Sequence, residues 1–358
     1  MVAARAPIPR VTFAIPGDLA TPTGGYGYAR CVIAALRARD YRVDLVDLGE
    51  GFPQIGPEQR ALARGRLLSA PVEAPVVVDG LALGALPAEA HEAARSHCLI
   101  GLIHHPLALE TGLSAIEADA LRASEISALA AAQYVITTDH STAATLSANY
   151  NVPPRRIAVA LPGAPQVEWA HGNSDGVPHV LAVGAIVPRK GYELLVTALA
   201  ELRDLPWRLT IVGDRARSPA TAAKLDGLIE HAGLIDRITC TGAVSAECLD
   251  ALYRGADIFA QPSWFEGYGM ALADALAYGL PVVATRTGAA LRNVGPNAGR
   301  LVAPGDTGAL SRALRALLAD AHARADCAAA ARAAARALPS WDDTAAIFQR
   351  VLAGVAHP

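Results

Sequence analysis

Short apolar runs of β type alternate with helix-length segments from one end of this 358-residue chain to the other, and nothing else in it constrains the fold as much. "RVTFAIP" (10–16), "YRVDLVDL" (41–48), "PVVVDGLAL" (75–83), "HCLIGLIHH" (97–105), "YVITTDH" (134–140) and "RIAVALPG" (156–163) read as strands, with helices between them over segments such as 25–40 and 114–132. Strands this uniformly apolar are covered on both faces. The pattern therefore predicts an α/β fold whose parallel sheets carry helices on both sides.

The pattern stops and restarts. "EWAHGNSDGVPH" (168–179) is polar and glycine-rich, as a linker would be. After it come "HVLAVGAIV" (179–187), "RLTIVGD" (208–214), "RITCTG" (237–242), "ADIFAQP" (256–262) and "PVVATR" (281–286), again as buried strands between helices. Two doubly wound, Rossmann-like domains are expected, over 1–174 and 175–339. Residues 310–338 are Ala-rich and helix-forming, with arginines at roughly helical spacing that read as a solvated face. Residues 340–358 form a last amphipathic helix, opened by Ser340 as N-cap and packing back on the N-terminal domain. Open α/β sheets bind ligands beyond the carboxyl ends of their strands, so two such domains facing one another predict a cleft that holds the ligand.

Composition narrows the function. The formal charge of -3 is spread over both halves, which argues against a nucleic-acid binder with its basic face. The start of the chain offers too short an apolar run for a signal peptide, and no segment approaches the ~18 apolar residues of a membrane span, so a cytoplasmic protein is expected. The five cysteines are scattered without a CxxC pair and read as reduced thiols, neither a disulfide framework nor a zinc site. Arg60, Arg64 and Arg66 make a small basic patch that would suit peripheral membrane contact, although three arginines in an acidic domain more commonly form a solvated face. Only two of the 31 basic residues are lysines, Lys190 and Lys224, so a lysine at a strand end carries information.

Four stretches can carry chemistry. "DLATPTGGYGYARCVIAAL" places Gly24, Gly25 and Gly27 where a helix opens after the first strand, and backbone N–H groups there can cradle a phosphate. A dinucleotide fingerprint fits poorly, because Arg30 stands where its third glycine belongs. "LIHHPLALETG" ends a strand with His104 and His105, and alternation lets at most one of them reach a site from a regular strand. A polar contact to substrate suits that one better than a metal, since no further ligands lie at suitable spacing. "VGAIVPRKGYELL" sets Arg189 and Lys190 beside a helix start, where fixed positive charge and the backbone dipole suit a diphosphate; a solvated basic turn is the plainer reading. "SWFEGYGMALADALAYG" puts Glu266 in a glycine-rich turn, free N–H groups at Gly269 and Met270, and Asp274 eight residues after Glu266 within an apolar helix. Capping explains a lone Glu, not this pair.

In order and at these separations, "GG", "HHP", "VGAIVPRKG" and "EGYGMALAD" resemble the family 4 retaining glycosyltransferases of the GT-B fold. The last matches that family's E-x7-E element with Asp274 as its second acid. The resemblance implies two Rossmann-like domains across a cleft, with the acceptor on the N-terminal side and a nucleotide-sugar donor on the C-terminal side. It implies that Arg189 and Lys190 hold the donor diphosphate and stabilise the leaving nucleotide. Glu266 would lie near the transferred sugar, with the backbone of Gly267, Tyr268, Gly269 and Met270 on its hydroxyls and phosphate. Asp274 would take the ribose, the backbone around Val244 the base, His105 the sugar near the reacting centre, and Gly24 and Gly25 the diphosphate from the other domain.

Two departures from the family pattern stand out: Ala185 occupies a position where the family often has arginine, and the second acid is Asp rather than Glu. The resemblance further implies a metal-independent enzyme without cofactor, moving a hexose with retention to an acceptor that is a small molecule, a saccharide or a lipid. A UDP-glucose type of donor is slightly preferred over a GDP-mannose type. An epimerase or hydrolase on the same architecture, or a non-catalytic nucleotide-sugar binder, are the alternatives.

Overall fold

A computed structural model describes residues 9–110, 112–173 and 175–356. Residues 1–8, on which the leader reading partly rests, Thr111 of the "HHP" stretch and Ser174 of the linker lie outside them. Two compact units result, one of Met1–Gly163 with Pro339–Pro358 and one of Ala164–Leu338.

The first unit runs β1 (Arg10–Ile15), α1 (Gly24–Arg37), β2 (Arg42–Asp47), α2 (Pro57–Leu68), β3 (Val76–Asp79), α3 (Gly80–Leu83), α4 (Pro87–Ala93), β4 (Leu99–Ile103), α5 (Ala115–Ala131), β5 (Tyr134–Thr137), α6 (His140–Asn149) and β6 (Ile157–Val159). The second runs β7 (His179–Val183), α7 (Tyr192–Ala200), β8 (Arg208–Val212), α8 (Pro219–His231), β9 (Ile238–Gly242), α9 (Ala246–Arg254), β10 (Ile258–Gln261), α10 (Met270–Ala277), β11 (Val282–Thr285), α11 (Gly288–Asn293), β12 (Gly299–Val302), α12 (Thr307–Ala319) and α13 (Ala321–Ala335). The chain then returns to the first unit with α14 (Trp341–Ala356).

Each unit holds one six-stranded sheet, in the order β2-β1-β3-β4-β5-β6 and β12-β11-β10-β7-β8-β9, and every pairing is parallel. The direction of strand addition therefore reverses between β1 and β3 in one sheet and between β7 and β10 in the other. At such a switch point the loops leaving the two central strands part to opposite faces and open a crevice. The expected doubly wound architecture is present in both units.

Three expectations change in detail. The boundary falls after Gly163, not after residue 174, because the segment that follows already lies along the second unit: Ala170 N–H donates to Tyr278 O at 2.8 Å and His171 N–H to Arg254 O at 3.0 Å. The strand expected over 75–83 ends at Asp79, whose carboxylate accepts from Leu81 N–H at 2.9 Å and turns "GLAL" into α3. β12 was not expected, since "GRLV" is only four residues long and carries Gly and Arg.

Ser340 and Asp343 form a reciprocal cap at the start of α14, with Asp343 N–H on Ser340 Oγ at 3.1 Å and Ser340 N–H on Asp343 Oδ2 at 2.8 Å. Helix α14 then lays Phe348 against Phe13 of β1 and Tyr28 of α1, with ring centroids 6.1 and 6.4 Å away. All three rings are fully buried, so the C-terminal helix completes the core of the N-terminal unit. Phe348→Ala should destabilise that unit by about 3–5 kcal/mol through lost burial and the cavity left behind, measured by urea unfolding followed by circular dichroism.

Candidate functional site

The switch point of the second sheet carries the densest group of buried charge. Leaving β7, the chain passes Gly184 to Val187 and makes a single 3-10 turn, Pro188–Lys190. Gly191 then enters α7 with φ 65°, a left-handed conformation, and a Cβ there would collide with the carbonyl of Pro262 from the neighbouring strand loop. Only glycine lets these two loops touch. Trp264 N–H donates to Arg189 O at 2.8 Å, which fixes the loops leaving β7 and β10 side by side, and Tyr192 O–H donates to Gly184 O at 2.8 Å within the β7 loop.

Lys190 and Glu266 meet across that seam. Lys190 Nζ donates to Glu266 Oε1 at 2.5 Å, Ser263 Oγ donates to the same oxygen at 2.7 Å, and Arg189 Nη1 stands 3.7 Å from Oε2. Lys190 and Glu266 are only 9% and 7% exposed, so the pair is desolvated. Burial alone would raise the Glu266 carboxyl. The charges of Lys190 and Arg189, with the hydrogen bonds from Lys190 and Ser263, outweigh it and hold the group below its ordinary value. Two cations against one carboxylate leave net positive charge at the switch point.

Beyond Glu266 the chain turns through Gly267 and Tyr268 into α10. Gly269 is its N-cap at φ 77°, and no side chain caps the first turn. Arg292 donates to Gly267 O at 3.2 Å and Asn293 to Tyr268 O at 3.0 Å, tying the carbonyls of the turn back to α11. Asp274 lies within α10, partly buried, and its carboxyl makes no hydrogen bond to any described residue and no ion pair with Arg189 or Lys190. Burial pushes it up to about 7. Val244 sits between β9 and α9, packed partly buried beside the core that α10 completes. The structure thus brings Lys190 and Glu266 into hydrogen-bonding contact, with Arg189 at 3.7 Å, and makes no ion pair between these residues and Asp274. Ser263, which the sequence reading passed over, is the missing partner of Glu266; its place three residues before the acid is the signal that would have found it.

The first sheet has its own switch point. Gly24 and Gly25 open α1 after β1, with Thr23 Oγ1 accepting from Tyr26 N–H at 3.3 Å. His104 leaves β4 beside them: a Cβ on Gly25 would touch its ring at 3.4 Å, Tyr28 packs edge-on with centroids 5.3 Å apart, and Asp79 Oδ2 lies 3.8 Å from Nε2. That last distance is too long for a hydrogen bond. Burial lowers the His104 pKa, and Asp79 offsets this only in part, so the ring is neutral near pH 7. The contacts with Gly25, Tyr28 and Asp79 are those of His104. His105, the histidine expected at the site, is partly buried just after it. Strand alternation does not choose between them, because β4 ends at Ile103 and both lie beyond it.

The arginines of α2 are each matched by an acid: Arg60 to Glu89 at 3.1 Å, Arg64 to Glu92 at 2.6 Å and Arg66 to Asp47 at 2.8 Å. The pairs of Arg64 and Arg66 are solvated, whereas Glu89 of the Arg60 pair is buried. No helix among the described residues is long and apolar enough to cross a membrane, and none of their His, Cys, Asp and Glu side chains form a group of three placed to hold a metal ion.

Residues 165–334, nearly the whole second unit and all of its switch-point residues, match the family model for group 1 glycosyl transferases. The second unit therefore carries a domain of the group 1 glycosyl transferase type. A D-inositol 3-phosphate glycosyltransferase of Xylanimonas cellulosilytica is 38% identical over 178 residues, 49% of this chain and 42% of that protein. The enzyme of the same name from Pseudarthrobacter chlorophenolicus is 34% identical over 229 residues, 60% of this chain and 54% of that one. The chain spans about half the length of these curated relatives. The fold extends further. Sucrose-phosphate synthase from Thermosynechococcus elongatus superposes with a TM-score of 0.80 over 97% of this chain and 99% of that one, at 22% identity. HepE of Anabaena in complex with UDP-glucose gives 0.78 over 96% and 99%, at 19% identity. At such identities the likeness shows the shared two-domain GT-B type of fold.

Within the group 1 domain two outcomes follow. Lys190→Met leaves Glu266 buried with less compensation and should cost about 3 kcal/mol, whereas Lys190→Met with Glu266→Leu should recover most of that loss, a non-additivity that urea unfolding of the four-protein cycle measures. Asp274 has a folded pKa above that of an unfolded Asp, so its contribution to stability is present in acid and is lost as pH rises from the ordinary Asp range through about 7. Asp274→Asn should remove that decline, and melting temperatures from pH 4 to 8.5 should show the variant gaining on the wild type as pH rises.

Proposed function

We propose that this chain, with its group 1 type domain, is a glycosyltransferase that transfers a hexosyl group from a nucleoside-diphosphate sugar to an acceptor hydroxyl, with retention at the anomeric carbon and without a metal. The observation that carries the reading is the cationic switch point of the second unit, where Arg189 and buried Lys190 flank Glu266 in front of the uncapped start of α10. A diphosphate needs fixed positive charge and free N–H donors, and both are present there in one place. On this reading the phosphate competes with Glu266 for Lys190, and the two cations stabilise the charge that grows on the leaving nucleoside diphosphate. Glu266 faces the transferred sugar. Asp274, raised to about 7 and without a hydrogen-bond partner, accepts from ribose hydroxyls, and its deprotonation on binding releases a proton near neutrality.

His105 is proposed to contact the sugar, with its neighbour His104, set against Gly25, as the alternative. Retention fits a route in which the departing phosphate takes the acceptor proton. The donor is proposed as UDP-glucose in type, in keeping with the UDP-glucose of the HepE complex, with GDP-mannose as the alternative. The acceptor hydroxyl belongs to a small molecule, saccharide or lipid. Inositol 3-phosphate is the first to try, given the names of the aligned relatives. Product analysis with and without acceptor separates transfer from hydrolysis or epimerisation of the donor.

A thermal-shift series with UDP, GDP and their sugars tests the site. A stabilising nucleotide at about 100 times its Kd adds ~2.7 kcal/mol to the wild type. Lys190→Ala and Glu266→Ala should each lose most of that shift. Absence of any shift in the wild type, or a full shift in both variants, contradicts the assignment.

A further inference from the structure

His104, His105 and Pro106 bridge the end of β4 and a 3-10 turn at Leu107–Leu109. The first N–H groups of a helical turn find no partner inside it. Here Glu125 of α5 supplies both: Oε1 accepts from Leu107 N–H at 2.8 Å and Oε2 from Ala108 N–H at 3.3 Å. The side chain is only 2% exposed, and no ion pair reaches it among the described residues. Carboxylates are almost never buried so deeply without a cation.

The surroundings are shaped for this contact. A Cβ on Gly84, at the end of α3, would lie 2.7 Å from Glu125 Cγ and 2.8 Å from Leu107 Cδ1, so a side chain there would displace both. Ser124 donates to Gly84 O at 2.5 Å and holds the adjoining residue of α5 in register with that gap. Burial pushes the Glu125 carboxyl up to about 7, although both N–H donors favour its charged form. The hydroxyl of Tyr150, just after α6, is raised by burial and by Glu125, with the charge of Arg122 of α5 acting against the rise.

We propose that Glu125 is a positioning residue: by holding the N–H groups of Leu107 and Ala108 it fixes the far end of the "HHP" bridge, and so keeps His104 against Gly25 at the switch point of the first unit. This rests on the glycosyltransferase reading for its catalytic consequence, and on geometry alone for its structural one. With β4 fixing one end of a three-residue bridge and Glu125 the other, Pro106 between them leaves His104 little freedom. Loosening the second anchor lets the imidazole shift, and a displacement of about 1 Å near reacting atoms costs on the order of 100-fold in rate.

The test uses the full chain with Glu125→Gln, which keeps one acceptor oxygen, and Glu125→Ala, which keeps none. The expected result is amide hydrogen exchange at Leu107 and Ala108 faster by about 10-fold or more, with moved or broadened imidazole resonances of His104 in histidine-labelled protein. In turnover, kcat falls by roughly 10- to 100-fold while the donor KM stays within about twofold, with Gln milder than Ala. Unchanged exchange and an unmoved His104 resonance in Glu125→Gln overturn the proposal, as does a kcat equal to that of the wild type. Exchange and resonances are read without substrate. A wild type that transfers no sugar therefore defeats the functional reading alone, and the two substrate-free readouts still decide whether Glu125 holds the bridge. If Glu125→Ala does not fold, Glu125→Gln carries every comparison.

Discussion

The ion pair between Lys190 and Glu266 is the contact on which the rest of the second unit's chemistry depends. It joins the loops that leave β7 and β10, the two strands between which the sheet reverses its order. Two charges at a few per cent exposure persist only with close geometry and further partners: Ser263 donates to the same oxygen, and the Arg189 charge stands 3.7 Å from the other. A pair of this kind contributes little to net stability when compared with a packed apolar pair. Its presence therefore argues for a role that an apolar pair could not fill, and a lysine held ready for an anion is such a role.

The two switch points differ in how they hold charge. In the second unit a cation is buried and satisfied by a carboxylate, while a second acid, Asp274, lies within α10 without an ion pair to it. In the first, a neutral histidine and a buried aspartate stand too far apart to bond, and the rigidity comes from Gly25, Tyr28 and the anchored turn after the histidines. One arrangement suits a polyanion; the other suits a neutral, hydroxyl-rich group.

Much of this was legible in the sequence. Alternating apolar runs fixed the class and both sheets, and the rare Lys190 together with the "EGYGMALAD" turn led to the charged seam. What was not legible depended on tertiary partners. Gly80 to Leu83 look like strand until Asp79 caps them, and "GRLV" becomes an edge strand only because β11 is there to pair with it. The boundary moved because backbone bonds to Arg254 and Tyr278, invisible in composition, fasten the linker to the second unit. Glu125 reads as one more acid on a helix, and its value comes from two N–H groups seventeen and eighteen residues away in the chain. The contacts of His104 with Gly25 and Tyr28 have the same origin, since both histidines lie beyond the end of β4.

The most direct test of the central claim compares nucleoside with nucleoside diphosphate. Isothermal titration calorimetry of uridine and UDP, and of guanosine and GDP, on the wild type and on Lys190→Met would isolate what the phosphates contribute. The account predicts that one diphosphate binds the wild type at least about 100-fold more tightly than its nucleoside, from two charge-assisted contacts, and that this gap shrinks by about 10-fold or more in the variant. Equal affinity for nucleoside and diphosphate, or an undiminished gap in Lys190→Met, would contradict it.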